Sequence, residues 1–512
     1  MKIIPASYRE AAAHNAVFIA AFQDAALERD PLVASLSADA RKTLLGFARS
    51  EFRAEEGEIK TLWLGNQKPE RITLFGLGEQ KKWHERKTPL TARRMVRFAK
   101  SQKIATFSAP PYPFQTKSGY IPDLVWNITK ISQAFAENAL MAQFEYNKYK
   151  ETPKGGWPEV KKIILAVGTG ERVAAARGID EGMIIGEEMN AARMLANTPG
   201  SDMTPSHLAD AARLVAQKTG ITAKILDKKE MARLGMGGVL GVAAGSDEKP
   251  RFIIIEHRRG PKTQKPLVLV GKGVTFDSGG VNLKPEQYMY EMHMDMSGGA
   301  AVIHGIAAIA RLKLPINVMG LIPAVENMPS GSSYRPGDQL KSLSGKTIEV
   351  LNTDAEGRVI LADALTYALR YKPGLIADFA TLTGAAHVAL GNYCSALFTN
   401  RDALTEKLIA IGTASGDYVW PLPLWDEYLP EIKGTFGDIA NMAKNDRYGG
   451  AIHGAKFLEQ FIGDAAWAHI DIAPRMTSVE SDILAKGASG VGVRYIVELA
   501  RQYPTLKIPS PS

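Results

Sequence analysis

The chain has 512 residues, 45% of them apolar and 23% charged, with 62 Lys and Arg against 54 Asp and Glu and one cysteine, Cys394. A length beyond one ordinary core implies about two to three domains, and the composition excludes a disordered or fibrous protein. The lone cysteine excludes an internal disulfide and is expected as a buried, inert thiol. No apolar run approaches the roughly 20 residues of a membrane-spanning helix, and Met1–Ser7 has no signal-peptide core, so a cytoplasmic protein with no membrane partner is expected.

In chain order, Ile72-Thr73-Leu74-Phe75-Gly76-Leu77 reads as a strand, and the segment holding Arg93, Arg94, Arg97 and Lys100 as a basic helix. Thr152–Gly156 is a polar turn, and Ile163–Val167 returns as a strand, so the first part alternates as an α/β domain. A helical pattern from Glu181 to Leu195 ends at Asn197-Thr198-Pro199-Gly200, and Thr204-Pro205 then caps and opens another helix. Strands are expected at Phe252–Glu256, Leu267–Val270, Asn317–Ile322, Ile348–Leu351, Leu375–Ala380, Ser395–Phe398 and Ala468–Ile472. Helical patterns between them, such as Ala300–Leu312, argue for a mainly parallel sheet covered by helices. Pro509–Ser512 reads as a loose tail.

Net charge is +8, and Lys68–Lys103 carries eleven Lys or Arg against three acidic residues. Such a face can attract nucleic acid. The simpler reading is a solvated surface, since the nearby aromatics Phe75, Trp83 and Phe98 are too sparse for base stacking.

The chemistry concentrates elsewhere. Asn352-Thr353-Asp354-Ala355-Glu356-Gly357-Arg358 follows the apolar run ending at Leu351; on an extended chain, alternate residues lie on one side about 6.6–6.8 Å apart. Two carboxylates aimed at one point repel unless a proton or cation joins them, and a divalent metal is the natural cation. Upstream, the strand Pro266–Val270 runs into Lys272 and Asp277, followed by Lys284 and by Asp295 just before a helix. Strand ends and helix starts of this kind meet in one crevice of an α/β sheet. Lys272 is either a charged partner of the carboxylates or a neutral metal ligand. Gly345-Lys346-Thr347 fails as a phosphate loop because Leu340 stands where glycine is needed, and His84-Glu85 fails as a zinc-protease motif because Thr88 stands where histidine is needed. His293, His304, His387, His453 and His469 are scattered and read as packed or hydrogen-bonded residues, which leaves an oxygen-rich site.

These residues resemble the leucyl aminopeptidase (cytosol aminopeptidase, M17) family of dinuclear metallopeptidases. Lys272, Asp277, Lys284, Asp295, Asp354, Glu356 and Arg358 match the family pattern at every offset. The likeness continues through Ala324–Met328, Arg335–Asp338, Ala380–Ala385 and Trp467–Ala473, so residues 190–500 read as the catalytic domain. It implies a two-domain α/β protein: a macro-domain-like domain over 1–175, a linker helix over 176–197, and a catalytic domain over 198–512 whose mainly parallel or mixed sheet, sandwiched by helices, carries a dinuclear metal site.

The resemblance further implies that Asp277 and Glu356 bridge two divalent metals. Lys272 and Asp295 would complete the tighter site and Asp354 the more exchangeable one. Zn or Mn is expected, with Mg or Co as alternatives, because an oxygen-rich site does not choose among them. Lys284 and Arg358 would be catalytic: Lys284 to stabilise the oxyanion, and Arg358 to grip a bicarbonate ion that shuttles the proton. Met292, Thr381, Gly384, Ala473 and Met476 match the family's substrate side-chain pocket, which favours Leu, Met and other apolar N-terminal residues of peptides, broadly. One departure concerns its rim, where Pro474-Arg475 stands in place of the family's glycine. A homohexamer, built as a dimer of trimers, is implied. The alternative function is nucleic-acid binding through the basic N-terminal domain.

Overall fold

The computed structural model describes residues 1–111, 127–444 and 448–509, so only Pro509 of the expected C-terminal tail falls within the described residues. Two compact units result, one of Met1–Glu187 with Val479–Ala485 and one of Glu188–Ser478 with Lys486–Ser512. Between Gly168 and Asn197 the chain is mostly one helix, Arg172–Ala196, longer than the expected Glu181–Leu195.

In the first unit the strands are β1 (Lys2–Ser7), β2 (Ala16–Ala21), β3 (Ile59–Trp63), β4 (Arg71–Gly76), β5 (Thr106–Ala109) and β6 (Lys162–Val167). They form one sheet in the order β1-β6-β5-β2-β4-β3, parallel except at the β3–β4 edge. Because side chains alternate across a strand, Phe18 and Phe75 pack into one cluster with Phe107. Val17, Ile19, Ile72 and Leu74 enter a second cluster on the other face. A sheet buried on both faces accounts for the near-continuous apolar runs in its strands.

The basic segment of this unit is largely answered within the unit. Arg93 is buried and donates to Asn138 Oδ1 at 2.8 Å. Arg97 and Lys100 both pair with Glu145 (3.2 and 2.6 Å), Lys87 pairs with Glu56 (2.8 Å), and Lys81 and Lys82 pair with Glu79. The helix expected to present a basic face spends much of its charge on neighbouring carboxylates.

In the second unit the strands are β7 (Thr222–Leu226), β8 (Arg251–Arg258), β9 (Leu267–Gly271), β10 (Gly273–Asp277), β11 (Asn317–Asn327), β12 (Gln339–Lys341), β13 (Thr347–Glu349), β14 (Leu375–Ala380), β15 (Ser395–Thr399), β16 (Val419–Pro421), β17 (Ile439–Ala440) and β18 (Trp467–Asp471). Nine of them make a mixed sheet in the order β16-β15-β18-β14-β9-β11-β8-β7, with β10 also on β11. Its centre, β18-β14-β9-β11, is parallel. The outer contacts β8–β11, β7–β8 and β15–β18 are antiparallel. Helices Ser297–Arg311 and Glu356–Ala368 both pack on β9, β11 and β14. Val359, Ile360 and Leu361 share one buried cluster with Val268, Val270, Leu321 and Ile376. The alternate residues Leu267 and Leu269, also fully buried, face the other way.

Three sequence expectations need correction. The strand expected at Ile348–Leu351 does not join the main sheet; β13 pairs with β12 and β17 in a separate three-stranded sheet. Residues 352–358 are not extended either: a turn over Asn352–Ala355 feeds a helix that begins at Glu356. Asp354, Glu356 and Arg358 therefore converge through a turn and the first turn of a helix, where carboxylates are favoured by the unsatisfied N–H groups. Cys394 is half-buried rather than fully buried. Among the described residues, no helix is long and apolar enough to cross a membrane.

Candidate metal and active site

The site grows from the C-terminal ends of three adjacent parallel strands. Gly271 of β9 lies opposite Phe379 of β14, and Ala380 of β14 opposite Asp471 of β18, so Lys272, Thr381 and Asp471 emerge side by side at one sheet edge. This is the edge at which open α/β sheets bind ligands. Lys272 is tied on both sides: its N–H donates to Phe379 O at 3.0 Å, and its carbonyl accepts from Gly299 N at 2.7 Å, at the start of helix Ser297–Arg311. That helix start also delivers Asp295.

Asp277 ends β10 directly opposite Asn327, the last residue of β11. Asn327 Nδ2 donates to Asp277 Oδ1 (2.8 Å) and to Thr353 O (2.9 Å), which links the strand end to the turn carrying Asp354. Gly279, at φ +87, turns the chain back so that its own N–H reaches Asp277 Oδ1 at 2.9 Å, a left-handed conformation that glycine adopts without strain. Thr353 closes the arrangement, its hydroxyl donating to Gly279 O at 2.6 Å while Tyr334 donates to Thr353 O at 2.7 Å. Asn441, fully buried, brackets the turn from the far side. Its Oδ1 accepts from Leu351 N (2.8 Å), its Nδ2 donates to Asn352 O (2.7 Å), and its backbone carbonyl accepts from Arg358 Nη1 (2.9 Å).

All seven residues of the sequence motif meet here. Lys272 Nζ lies 2.8 Å from Asp295 Oδ2, 2.8 Å from Glu356 Oε1 and 2.9 Å from Thr381 O. Lys284 Nζ pairs with Asp277 Oδ2 at 2.8 Å and also with Asp354 Oδ1. Carboxylate oxygens of Asp277, Asp354 and Glu356 lie within 4.8 Å of one another. Asp295 Oδ2, Asp354 Oδ1 and Glu356 Oε1 are buried with no hydrogen-bond donor in good geometry, their lysine contacts notwithstanding. Buried acceptors left in this state fit a bound cation.

The electrostatics agree. Burial, with the negative charges of Asp277 and Glu356, pushes Asp354 up to about 7 despite Lys284. Asp295 is raised well above the carboxylate range by burial, and by Glu356 and Asp277, against the pull of Lys272. Burial opposes the charge on Lys272, but Asp295, Glu356 and Asp277 outweigh it and raise its pKa, as Asp277, Glu356 and Asp354 do for Lys284. Both lysines are charged partners of these carboxylates, and Lys272 could become a ligand only if a metal took the place of its proton, which would pass to solvent. Arg358 is lowered to about 10 by burial, with Glu356 and Asp471 supporting its charge. Among the described residues its buried Nε has no hydrogen-bond partner.

Of the pocket positions, Thr381 follows β14, and its hydroxyl donates to Asp295 Oδ1 at 2.6 Å. Gly384 opens the helix Gly384–Leu390, which packs against the short turn Ala473–Arg475. Met292 begins the turn Met292–Met294 leading into Asp295, and Met476 follows Arg475. At the departure Pro474-Arg475, Pro474 is buried in that turn while Arg475 Nη1 donates to Asn392 O. His304, His453 and His469 are buried and paired with Glu188, Glu431 and Asp378, as expected of core histidines, whereas His387 is exposed and pairs with Asn392, and His293 is only partly buried. Asn327, Tyr334, Asn441 and Asp471 were missed as site residues. Their roles depend on chain crossings that no local spacing announces.

The comparisons follow the geometry. Residues 190–497 match the catalytic domain of the cytosol aminopeptidase family, and residues 21–153 match its N-terminal domain. A protein of Chlorobaculum tepidum named "Probable cytosol aminopeptidase" is 41% identical over 481 residues, covering 90% of this chain and 94% of that one. One of Geobacter sulfurreducens with the same name is 39% identical over 500 residues, covering 96% and 98%. The solved bottromycin maturation enzyme BotP in complex with Mn is 30% identical, with a TM-score of 0.81 over 96% of this chain and all of that one. The chain belongs to the cytosol aminopeptidase family of metal-dependent M17 peptidases, and it is an aminopeptidase, a hydrolase.

Proposed function

We propose that the protein removes N-terminal residues, preferring Leu, Met and other apolar side chains, from peptides through a two-metal centre. The observation that carries this reading is the convergence of Asp277, Asp354 and Glu356 within 4.8 Å of one another, with Asp295 joined to Glu356 through Lys272. Asp277 and Glu356 would bridge the ions, Lys272 and Asp295 would serve one, and Asp354 the other. The ions would supply Lewis acidity toward the scissile carbonyl and lower the pKa of the attacking water.

The chain's own groups do the rest. Lys284, held charged, places an ammonium where it can stabilise oxyanion charge. Arg358 cannot serve as a base, but its free Nε and forked geometry suit a small oxyanion such as bicarbonate that can carry a proton. Asp295 would orient the substrate's free α-amine, which confines cleavage to the N-terminal bond. Met292, Thr381, Gly384, Ala473 and Met476 would receive the side chain, and the small or flexible members keep the preference broad.

Zn or Mn is the favoured metal, with Mg or Co possible; manganese is supported by the relative solved with it. The same reading makes the protein a cytoplasmic homohexamer, two stacked trimers. The exposed apolar side chains Val388, Tyr393, Trp420, Trp425 and Phe436 of the catalytic unit support assembly, and sedimentation as a monomer would contradict it. The central experiment is hydrolysis of leucine p-nitroanilide by metal-loaded protein, its loss on chelation, and its return with Mn or Zn. No turnover of any N-terminal substrate by reconstituted protein would sink the reading.

A further inference from the structure

Asp471 is fully buried at the end of β18, opposite Ala380 at the end of β14. Three donors converge on it. Oδ1 accepts from Leu382 N and Ala473 N, each at 3.1 Å, and Oδ2 accepts from the Thr383 hydroxyl at 2.7 Å. The Thr383 hydroxyl in turn accepts from Ala386 N at 3.0 Å and so caps the helix that opens at Gly384. One residue before this turn, Thr381 gives its carbonyl to Lys272 and its hydroxyl to Asp295. One carboxylate thus fastens, at once, the segments bearing Thr381, Gly384 and Ala473.

We propose that Asp471 is a positioning residue for substrate selection: it locks the Thr381–Thr383 turn to the Ala473 turn and fixes the spacing of the side-chain pocket. The proposal rests on the aminopeptidase reading above. A carboxylate suits the site because its charge strengthens all three bonds; an asparagine of the same shape would hold the two amides by a weaker, uncharged acceptor and would need the Thr383 hydroxyl to turn from donor to acceptor. The negative charge has a second use, since Asp471 and Glu356 are the carboxylates that support buried Arg358.

The test compares metal-loaded wild type with Asp471→Asn on Leu-, Met- and Ala-p-nitroanilides, together with hydrogen exchange at Leu382 and Ala473. Asp471→Asn should lower the Leu-over-Ala preference by about fivefold, mainly through KM, and speed exchange at those two amides on the order of tenfold. Amides of the six-stranded sheet should be unchanged. Thr383→Ala, which deletes one donor and keeps the carboxylate, should shift the preference the same way by less, and it serves if Asp471→Asn does not fold. Unchanged exchange, or faster exchange with an unchanged ranking, overturns the proposal. Wild type inactive on all three substrates overturns the aminopeptidase reading instead, and exchange alone then decides whether Asp471 holds the turn.

Discussion

Gly357 and Lys272 are in direct contact: a Cβ at position 357 would lie 2.6 Å from Lys272 Cε and 2.7 Å from its Nζ. The first turn of helix Glu356–Ala368 thus comes so near the ammonium that only hydrogen fits between them. Gly357→Ala forces Lys272 away from Asp295 and Glu356. Its expected effect is a fall in kcat/KM of about a hundredfold, the scale of a 1 Å misplacement in a catalytic site, with metal retention also reduced. Wild-type kinetics and metal content in Gly357→Ala would refute this contact's importance.

The acidic cluster should gain stability from metal. A ligand that binds only the folded protein stabilises it by about 2.7 kcal/mol at a hundredfold excess over Kd. Thermal melts of chelated protein should shift upward on adding Mn or Zn, and the shift should shrink sharply in Glu356→Gln, which removes one of the three carboxylates gathered within 4.8 Å. Elemental analysis after dialysis gives the matching stoichiometry. An undiminished shift in Glu356→Gln would remove Glu356 from the ligand set.

Arg358 and Lys284 should separate kinetically. Arg358→Ala removes the proposed anion grip, so kcat should fall by about 10²–10⁴ with KM little changed, and added bicarbonate should no longer raise the rate in bicarbonate-depleted buffer. Lys284→Ala should cost about 10²–10³ in kcat while the bicarbonate response persists. A bicarbonate response retained in Arg358→Ala would count against the anion role.

Asn441 should matter for stability as well as activity. Asn441→Ala leaves the part-buried N–H of Leu351 and carbonyl of Asn352 without their partner, at up to about 1–3 kcal/mol for each stranded group. Denaturant unfolding should show the loss, and metal retention should fall with it because the turn bearing Asp354 is freed. A stability change within error would mean that the turn holds itself.

A pH effect is expected away from the cluster. Asp363 is fully buried, accepts from Leu343 N (2.7 Å) and Val239 N (2.9 Å), and is pushed up to about 7 by burial against those hydrogen bonds. Free aspartate titrates near 3.9, so between about pH 4 and 7 the folded protein holds a proton that the unfolded chain has released. Stability should therefore fall as pH rises through that window, and the penalty should be complete above it. Asp363→Asn should flatten the slope, which is worth up to about 1.4 kcal/mol per pH unit. Urea unfolding of metal-free protein across the window measures it, and an identical slope in the variant would refute the assignment.

Much of this molecule was legible from its residues. The match to the family pattern groups Lys272, Asp277, Lys284, Asp295, Asp354, Glu356 and Arg358, and apolar runs mark most central strands because those strands are buried on both faces. The path through the motif was not legible. Alternation suggested an extended segment, whereas Glu356 begins a helix whose approach is set by Gly357 against Lys272, a contact 85 positions apart. Asn441 and Asp471 escaped notice because each works across a distance in sequence, Asn441 to Leu351 and Asp471 to Leu382. The short strands β12 and β17 are three and two residues long, too brief for periodicity to register, so the apolar run at β13 marks a strand but not the small sheet it joins.

The side-by-side emergence of Lys272, Thr381 and Asp471 bears on how such an enzyme can be redesigned. Thr381 binds both Lys272 and Asp295, so if it also lines the proposed pocket, a change there alters appetite and chemistry together. Met292 and Met476 stand on short turns outside the three strand ends, and a library confined to those two positions offers a route to new side-chain tastes that leaves the hydrolytic machinery intact.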